Sequence, residues 1–189
     1  MYLSRLLDFI ESLEDLSDRI FIPRINREDG LVIYAIVSTI ASQYERFVAV
    51  DAGAGIGYST LWIVAPLEEL CVRGTVFAVE WNRDRYEVLK KNFSKLDVRC
   101  AEVEVVNQNA VDFIETLRDG SINFVFVDID KGMYRTFLAK TLNKIVNGGV
   151  IAFHNAYMVN DFYKDVIRVR KYVVSVIPTS EGILLIKLF

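Results

Sequence analysis

Residues 47–64, FVAVDAGAGIGYSTLWIV, join an apolar run and an acidic residue to a glycine-rich turn and a second apolar run. The first four residues predict a buried strand, and the residues from Tyr58 onward predict a helix. The free backbone N–H groups at the start of such a helix favour a polar or anionic ligand. The segment therefore predicts a strand, a ligand-binding turn and a helix in succession.

The spacing of the glycines in this turn narrows the choice of ligand. A dinucleotide-binding turn has the pattern G-x-G-x-x-G, whose last glycine lets the helix pack closely on the strand. Here Gly53, Gly55 and Gly57 form G-x-G-x-G, and Tyr58 occupies the position that the dinucleotide pattern keeps small. Preceded by Asp51, this spacing resembles the first motif of class I S-adenosylmethionine-dependent methyltransferases. A turn that only connects strand to helix is the alternative interpretation.

A further acidic residue follows the next predicted strand. Residues 75–79 are apolar, and Glu80 stands at their carboxyl end, roughly 20 residues beyond the glycine turn. A carboxylate at this place in a parallel sheet can accept hydrogen bonds from both hydroxyls of a ribose. We predict that role for Glu80, with a solvated surface charge as the alternative.

The pattern from residue 47 onward alternates strands with helices. Strands are predicted at residues 47–52, 75–80, 102–107, 122–128 and 149–154, and helices are predicted to start near residues 57, 83, 110, 133 and 159. This alternation predicts right-handed crossovers on a parallel sheet, with ligands at the carboxyl ends of the strands. Two last strands, at residues 171–177 and 183–189, are joined by a turn too short for a crossover and predict an antiparallel hairpin.

Two helices are predicted ahead of this alternating region. Leucine and isoleucine recur at helical spacing over residues 3–16, which predicts an amphipathic helix that ends before Pro23. A second helix is predicted to follow Asn26 and to run through Ile40. We expect these two helices to form one wall of a pocket.

Length and composition limit the class of protein. At 189 residues, with 52% hydrophobic and 25% charged residues, the chain has the size and apolar content of one α/β domain. We predict a helical addition at residues 1–43 and a cofactor-binding core at residues 44–189. The net charge of −3 disfavours DNA and RNA partners, without excluding a tRNA-sized substrate. The densest basic group, Arg168, Arg170 and Lys171, is interpreted as a solvated helix end.

The cysteines and the hydropathy pattern bear on the location of the protein. Cys71 and Cys100 make neither a disulfide framework nor a metal-ligand cluster, which indicates a reducing cytosol. The N-terminal residues are interrupted by acids on every turn and do not resemble a signal peptide. The longest apolar run, residues 31–41, is too short to cross a bilayer. We therefore predict a soluble, cytoplasmic protein without a membrane partner.

Polar side chains follow the fourth and fifth predicted strands. Asp128, Asp130 and Lys131 come after the fourth strand, and His154 and Asn155 come at the end of the fifth. Packing alone explains such crowding poorly, because an unpaired buried charge is costly. These residues therefore predict a ligand at the same edge of the sheet as the glycine turn.

Together with the glycine motif, these residues resemble a specific family, the metal-dependent O-methyltransferases of the catechol and caffeoyl-CoA type. The resemblance runs from about Asn26 to the C-terminus and is carried by residues 26–30, the glycine motif with Tyr58-Ser59, residues 125–131 with Tyr134, residues 148–155 and residues 178–183. It implies a Rossmann-like α/β sheet of seven strands, mostly parallel, with a C-terminal antiparallel hairpin. It also implies methyl transfer from S-adenosylmethionine to a hydroxyl oxygen of a small aromatic acceptor, and a homodimer.

The resemblance further implies a divalent cation, usually Mg²⁺, beside a catalytic lysine. The lysine falls on Lys131, and Asp128 is the second predicted catalytic residue. The metal ligands fall on Asp128 and Asn155, with His154 where the family has an Asp. Mg²⁺ prefers carboxylates and water, whereas imidazole suits Zn²⁺ or Mn²⁺. Three outcomes are open: a softer metal, a weakly held metal, or a metal-free site in which His154 acts as base. A hydrogen-bonded structural histidine and a surface lysine are the plain alternatives for His154 and Lys131.

The same resemblance extends the set of candidate cofactor contacts. Besides Asp51, the three glycines, Glu80 and Asp128, it adds five positions: Tyr58, Ser59, Trp81, Asn109 and Ala110. Ordinary packing would explain the two aromatic residues equally well, and a helix N-cap would explain Asn109.

Two rival functions stay open. One is a cofactor-binding protein whose metal site has decayed, supported by the substitution at His154. The other is a methyltransferase acting on nitrogen or on a modified tRNA base. A dehydrogenase is disfavoured because Tyr58 contradicts the dinucleotide turn.

Overall fold

A computed structural model describes residues 2–169 and 171–189, so Arg170 of the predicted basic group lies outside the described residues. A seven-stranded sheet runs through the molecule in the order β3-β2-β1-β4-β5-β7-β6. The strands are β1 (Phe47–Ala52), β2 (Gly74–Val79), β3 (Ala101–Val106), β4 (Ile122–Val127), β5 (Ile145–His154), β6 (Tyr172–Ile177) and β7 (Ile183–Leu188). The predicted seven-stranded α/β sheet is confirmed.

Helices cover both faces of this sheet because its central strands are apolar on both sides. The helices are α1 (Tyr2–Ile20), α2 (Arg27–Ala41), α3 (Tyr58–Leu70), α4 (Arg83–Phe93), α5 (Ala110–Thr116), α6 (Tyr134–Thr141) and α7 (Asn160–Val166). In β4 every residue is buried. Phe124 and Phe126 belong to the core under α1 to α4, and Val125 and Val127 belong to the core under α5 to α7. This alternation is the period-2 pattern of a strand buried on both faces.

The strands pair as the sequence pattern predicts. The first five are parallel neighbours, and β7 pairs antiparallel with both β5 and β6. The structure starts β5 at Ile145, four residues before the predicted start, and the pairing with β4 shifts register between Ile122 and Phe124. The carboxyl ends of β1, β2, β4 and β5 consequently lie along one edge of the sheet.

The two N-terminal helices pack against α3. Gly30 in α2 makes a close approach possible, because a Cβ at this position would lie 2.3 Å from the indole nitrogen of Trp62. Arg27, at the start of α2, donates to Glu14 of α1 with its Nε 3.0 Å from the carboxylate. These contacts hold the beginning of α2 against α1 and α3.

The two cysteines require a correction. The cysteine count led us to expect no disulfide framework, but the structure joins Cys71 and Cys100 in one disulfide bond across 29 residues of sequence. The bond ties the end of α3 to the residue before β3. Because disulfides are rare in reducing compartments, the cysteines no longer support a cytosolic location. Among the described residues no helix has both the length and the apolar character needed to span a membrane.

Candidate active site

The glycine turn after β1 lies against the end of β4. Gly53 has a φ of +96°, and a Cβ there would lie 2.2 Å from the backbone oxygen of Asp128. Only glycine accommodates both the positive φ and this contact. Two residues further on, the backbone N–H of Gly55 donates to Oε2 of Glu80 at 2.9 Å. The turn thus joins the ends of three neighbouring strands.

Asp51 lies beneath this turn, fully buried, and is not part of the lining of the cavities that adjoin the turn. Its Oδ2 accepts hydrogen bonds from the hydroxyls of Ser59 at 2.7 Å and Thr60 at 2.5 Å. Burial raises the pKa of Asp51 to about 7, with a smaller contribution from the charges of Asp128 and Glu80. Geometrically, Asp51 fixes the start of α3 below the turn.

Glu80 is held in place by backbone donors on both oxygens. Besides the bond from Gly55, its Oε1 accepts from the backbone N–H of Asn82 at 2.8 Å, and the side chain is only 3% exposed. Such a carboxylate keeps a fixed orientation toward the space above the turn. That space is a cavity of about 480 Å³, a size suited to a nucleoside-like ligand.

Seven of the predicted cofactor residues line this first cavity: Gly53, Gly55, Glu80, Trp81, Asn109, Ala110 and Asp128. Trp81 is 71% exposed and therefore free to cover a flat ligand. Asn109 also caps α5, accepting from the backbone N–H of Val111 at 2.8 Å. The sequence reasoning missed Arg85, Gln108 and Met133, which line the same cavity. Gln108 could have been found, because it precedes the predicted helix start beside Asn109.

Besides Asp51, three predicted positions lie away from the first cavity. Tyr58 is buried and donates its hydroxyl to Oε1 of Glu14 on α1 at 2.5 Å. With Ser59 it borders a small separate cavity of about 30 Å³. Gly57 precedes α3 and lies against Phe93. These residues connect the turn to the helices around it.

A second cavity of about 350 Å³ opens next to the first. Its lining is almost entirely polar and consists of Pro23, Arg24, Asn26, Asp128, Lys131, His154, Asn155 and Glu181. Asp128 and Pro23 line both cavities. The predicted catalytic pair and the three predicted metal ligands therefore all border one space beside the cofactor-sized cavity.

Lys131 and Asp128 form an ion pair at the junction of the two cavities. Nζ of Lys131 lies 2.7 Å from Oδ1 of Asp128, and both side chains are about one-third exposed or less. Burial alone would raise the pKa of Asp128, but His154 and Lys131 outweigh it and hold that pKa below its ordinary value. Nζ also lies 5.5 Å from the ring centre of Tyr134, whose hydroxyl donates to the backbone oxygen of His154 at 2.9 Å.

The imidazole of His154 stands between two carboxylates. Nε2 lies 3.2 Å from Oδ2 of Asp29, and Nδ1 lies 3.5 Å from Oδ2 of Asp128. Burial opposes the charged ring, but the carboxylates of Asp128 and Asp29 raise the pKa of His154 to about 9. Sequence reasoning missed Asp29 as a site residue. Its signal was present, because Asp29 belongs to the segment at residues 26–30 that carries part of the resemblance.

Asn155 adopts a left-handed backbone conformation, with φ of 55° and ψ of 45°. Its Nδ2 donates to Oε2 of Glu181 at 3.2 Å. A non-glycine residue in this conformation is uncommon and is concentrated at functional sites. The conformation turns the chain sharply after β5 and leaves Asn155 at the wall of the second cavity.

These contacts determine whether the site can hold a divalent cation. Both nitrogens of His154 face carboxylates, so neither is directed to a space where a metal ion could bind. Across the described residues no three His, Cys, Asp or Glu side chains are arranged to hold a metal ion. The side chains as they stand do not fit a metal centre.

The sheet order, the glycine turn and the adenosine-sized cavity at the strand ends define a class I methyltransferase fold. A sequence profile of the O-methyltransferase family matches residues 45–176, so the chain belongs to that family.

Individual relatives agree with this assignment. A protein of Mycobacterium sp. (strain KMS), named as an O-methyltransferase, is 25% identical over 122 residues, which cover 65% of this chain and 54% of the relative. A Dictyostelium discoideum protein named as caffeoyl-CoA O-methyltransferase 3 is 30% identical over 111 residues, covering 57% of this chain and 43% of its own length. The chain spans about half the length of the curated relatives it matches.

Solved structures share the fold. An O-methyltransferase of Streptomyces achromogenes, in complex with S-adenosylmethionine, aligns with a TM-score of 0.74 at 19% identity, over 100% of this chain and 89% of that one. A Bacillus cereus O-methyltransferase in complex with S-adenosylhomocysteine aligns with a TM-score of 0.74 at 16% identity, over 96% of this chain and 91% of that one. At these identities the likeness concerns the fold alone.

Proposed function

We propose that this chain transfers a methyl group from S-adenosylmethionine to a hydroxyl oxygen of a small acceptor. The observation that carries the proposal is the pair of adjoining cavities that share Asp128, with Lys131 at the wall of the second. One cavity has the size and glycine turn for the cofactor, and the other has room for an acceptor. Membership of the O-methyltransferase family supports the same chemistry.

The first cavity would hold the cofactor by its nucleoside. Glu80, fixed by two backbone donors, would accept the ribose hydroxyls. Asn109 and Ala110 would border the adenine, and the exposed ring of Trp81 would cover it. Asp51, which does not line this cavity, would act by supporting the turn rather than by touching the ligand.

The second cavity would orient and activate the acceptor. S-adenosylmethionine supplies an already activated methyl group, so alignment of the acceptor oxygen is the main task of the chain, and alignment can supply ~7–11 kcal/mol. In the transfer the acceptor oxygen would take the methyl group as its bond to sulfur breaks, S-adenosylhomocysteine would leave, and the proton of the hydroxyl would pass to solvent water. The ammonium of Lys131 would stabilise the acceptor oxygen as that proton departs. Asp128 would hold that ammonium in place through the 2.7 Å ion pair.

The residues that line the second cavity indicate how polar its acceptor would be. The resemblance implies a small hydroxylated aromatic, and Pro23 is the one apolar residue in that lining. Arg24, Asn26 and Glu181 place charged and polar groups on that wall, where polar substituents of an acceptor would meet complementary groups. We therefore propose a phenolic acceptor that carries further polar substituents.

Calorimetry tests the cofactor assignment. S-adenosylhomocysteine should bind, and Glu80→Gln should weaken binding at least about tenfold, because an amide retains only one acceptor oxygen. Glu104→Gln, an exposed change on β3, is the matched control and should bind like wild type. Tighter binding of NAD, or unchanged binding by Glu80→Gln, would refute the assignment.

A methyl-transfer assay tests the reaction. The panel should contain catechols and phenols with carboxylate, amine and hydroxyl substituents, each with Mg²⁺, Mn²⁺, Zn²⁺ or a chelator. Lys131→Ala should lower turnover roughly 100-fold or more, whereas exposed Lys95→Ala should not. Equal turnover by both variants would remove the proposed role of Lys131. Tight cofactor binding without product on any acceptor would favour the cofactor-binding protein, or an RNA or nitrogen acceptor.

Two finer properties are also proposals. The family resemblance implies a homodimer, which light scattering on the purified protein would test. A cytoplasmic location is proposed from the sequence pattern without support from the cysteines, because Cys71 and Cys100 are bonded. Fractionation of cells that express the full protein would test it.

A further inference from the structure

Asp29 is a carboxylate with no solvent exposure, at the third residue of α2. Its Oδ2 accepts from the backbone N–H of Asn26 at 3.2 Å, which accounts for a helix-cap role. A cap does not require complete burial, and a buried charge is costly without a partner of opposite charge. The partner is His154, whose Nε2 lies 3.2 Å from the same oxygen.

His154 is buried, as is its partner Asp29. Its side chain is 6% exposed, and the centre of its ring lies 6.0 Å from the centre of the Phe126 ring. The second nitrogen faces another carboxylate, since Nδ1 lies 3.5 Å from Oδ2 of Asp128. Nδ1 makes no hydrogen bond at that distance, so the two carboxylates favour the protonated ring through their charge rather than through a pair of hydrogen bonds. The side chain of His154 thus occupies the space between the carboxylates of Asp29 and Asp128, where a positive charge is stabilised.

The charges of this cluster balance without any added ion. Two carboxylates, Asp29 and Asp128, face two cations, His154 and Lys131. The metal-dependent pattern has an Asp where this chain has His154. Exchanging a carboxylate for an imidazolium adds two positive charges, which equals the charge of a divalent ion. A metal ion entering the cluster would have to break both contacts of His154 and leave an excess of positive charge.

We infer that the side chain of His154 serves as an internal cation that replaces the divalent metal ion of this site. It joins α2, through Asp29, to the end of β4, through Asp128. In doing so it fixes the carboxylate that orients Lys131 toward the acceptor cavity. His154 is thus a positioning residue, not the catalytic base that the sequence left open. The positioning of Lys131 toward an acceptor rests on the proposed methyl transfer, whereas the absence of a metal ion from the cluster does not.

Manganese binding tests the inference without any turnover. Mn²⁺ added to the purified protein, followed by electron paramagnetic resonance and calorimetry, should show no stoichiometric binding to wild type. His154→Asp removes the internal cation and restores a carboxylate, and should raise Mn²⁺ affinity at least about tenfold. His154→Asn is the matched control, because it removes the cation without adding an anionic ligand, and it should gain no comparable affinity. A purely structural histidine predicts loss of stability in both variants and no gain of Mn²⁺ binding in either.

The results separate this inference from the proposed reaction. One Mn²⁺ bound per wild-type chain and lost on Asp128→Asn would overturn it, as would a folded His154→Asp that binds no Mn²⁺. Where His154→Asp does not fold, the wild-type titration alone decides. If an acceptor is found, wild-type turnover should be unchanged by chelator, and turnover abolished by chelator would overturn the inference while leaving methyl transfer intact. Absence of turnover would count against the proposed function and would leave the Mn²⁺ result valid.

Discussion

Replacing Asp51 by Asn should remove a pH-dependent loss of stability that the wild-type protein carries between about pH 4 and pH 7. Burial is the main cause, since it raises the pKa of this carboxyl from 3.8 to about 7 in the folded protein. In that interval the folded chain retains a proton that the unfolded chain has released. The free energy of unfolding therefore falls as the pH rises. The two hydroxyl donors of Ser59 and Thr60 oppose the shift without cancelling it.

The size of the effect follows from the shift. A rise of roughly 3 pKa units corresponds to about 4 kcal/mol over the whole interval. Of this, the wild-type protein loses roughly 2–3 kcal/mol of unfolding free energy between pH 5 and pH 8. His154 adds a loss of its own above pH 6.5, because its pKa is raised to about 9, and comparison with a variant at each pH cancels that contribution.

Urea unfolding of ligand-free protein at pH 5 and pH 8 measures the effect. The difference in unfolding free energy between wild type and Asp51→Asn should shift by roughly 2–3 kcal/mol in favour of the variant at the higher pH. Asp112→Asn, an exposed change on α5, is the control and should show no such shift. If the Asp51→Asn difference is the same at both pH values, the carboxyl is not protonated in the folded state and the reasoning fails.

Three further predictions concern the scaffold and are measured by the same unfolding experiment. Glu68→Ala should lower the free energy of unfolding by roughly 3 kcal/mol, because its buried carboxylate accepts from the backbone N–H groups of residues 99–101. A loss below about 1 kcal/mol would contradict this. Cys71→Ser should cost about 3–4 kcal/mol, as expected for a bond to Cys100 that closes a loop of 29 residues, and equal stability with and without a reducing agent would contradict the disulfide. Tyr58→Phe should lower the free energy of unfolding by about 1–2 kcal/mol, because the hydrogen bond to a carboxylate on α1 is lost. The affinity for S-adenosylhomocysteine should stay within about twofold of wild type. A larger loss of affinity would show that Tyr58 contacts the cofactor.

Most of the sheet could be predicted because its signals are local. The β4 sequence, INFVFV, is buried at every position and is flanked by polar residues, so its length and its central place follow from a few neighbouring residues. The short link before β7 excludes a crossover in the same way. The start of β5 was placed late because Asn147, Gly148 and Gly149 interrupt its apolar pattern, although the strand continues through them.

The site could be predicted less completely, since its decisive contacts are distant in sequence. Asp29 and His154 are 125 residues apart, and no periodicity relates them. Tyr58 sits in the glycine motif, yet its hydroxyl is directed to Glu14 on a helix 44 residues upstream. The residue type showed that each side chain needed a partner. Only the packing of α1 and α2 on α3 showed which partner it found.

The position of Asp29 explains why the N-terminal helices belong to the site rather than merely covering it. Helix geometry places the carboxylate of a third residue back over the cap, where Oδ2 meets the backbone N–H of Asn26. The same oxygen meets His154 at the end of β5. One carboxylate oxygen thus caps the start of the helix and pairs with His154, so α2 cannot shift along its axis without separating a buried ion pair. Because that separation would leave two charges unpaired away from water, the order of the second cavity depends on the start of α2.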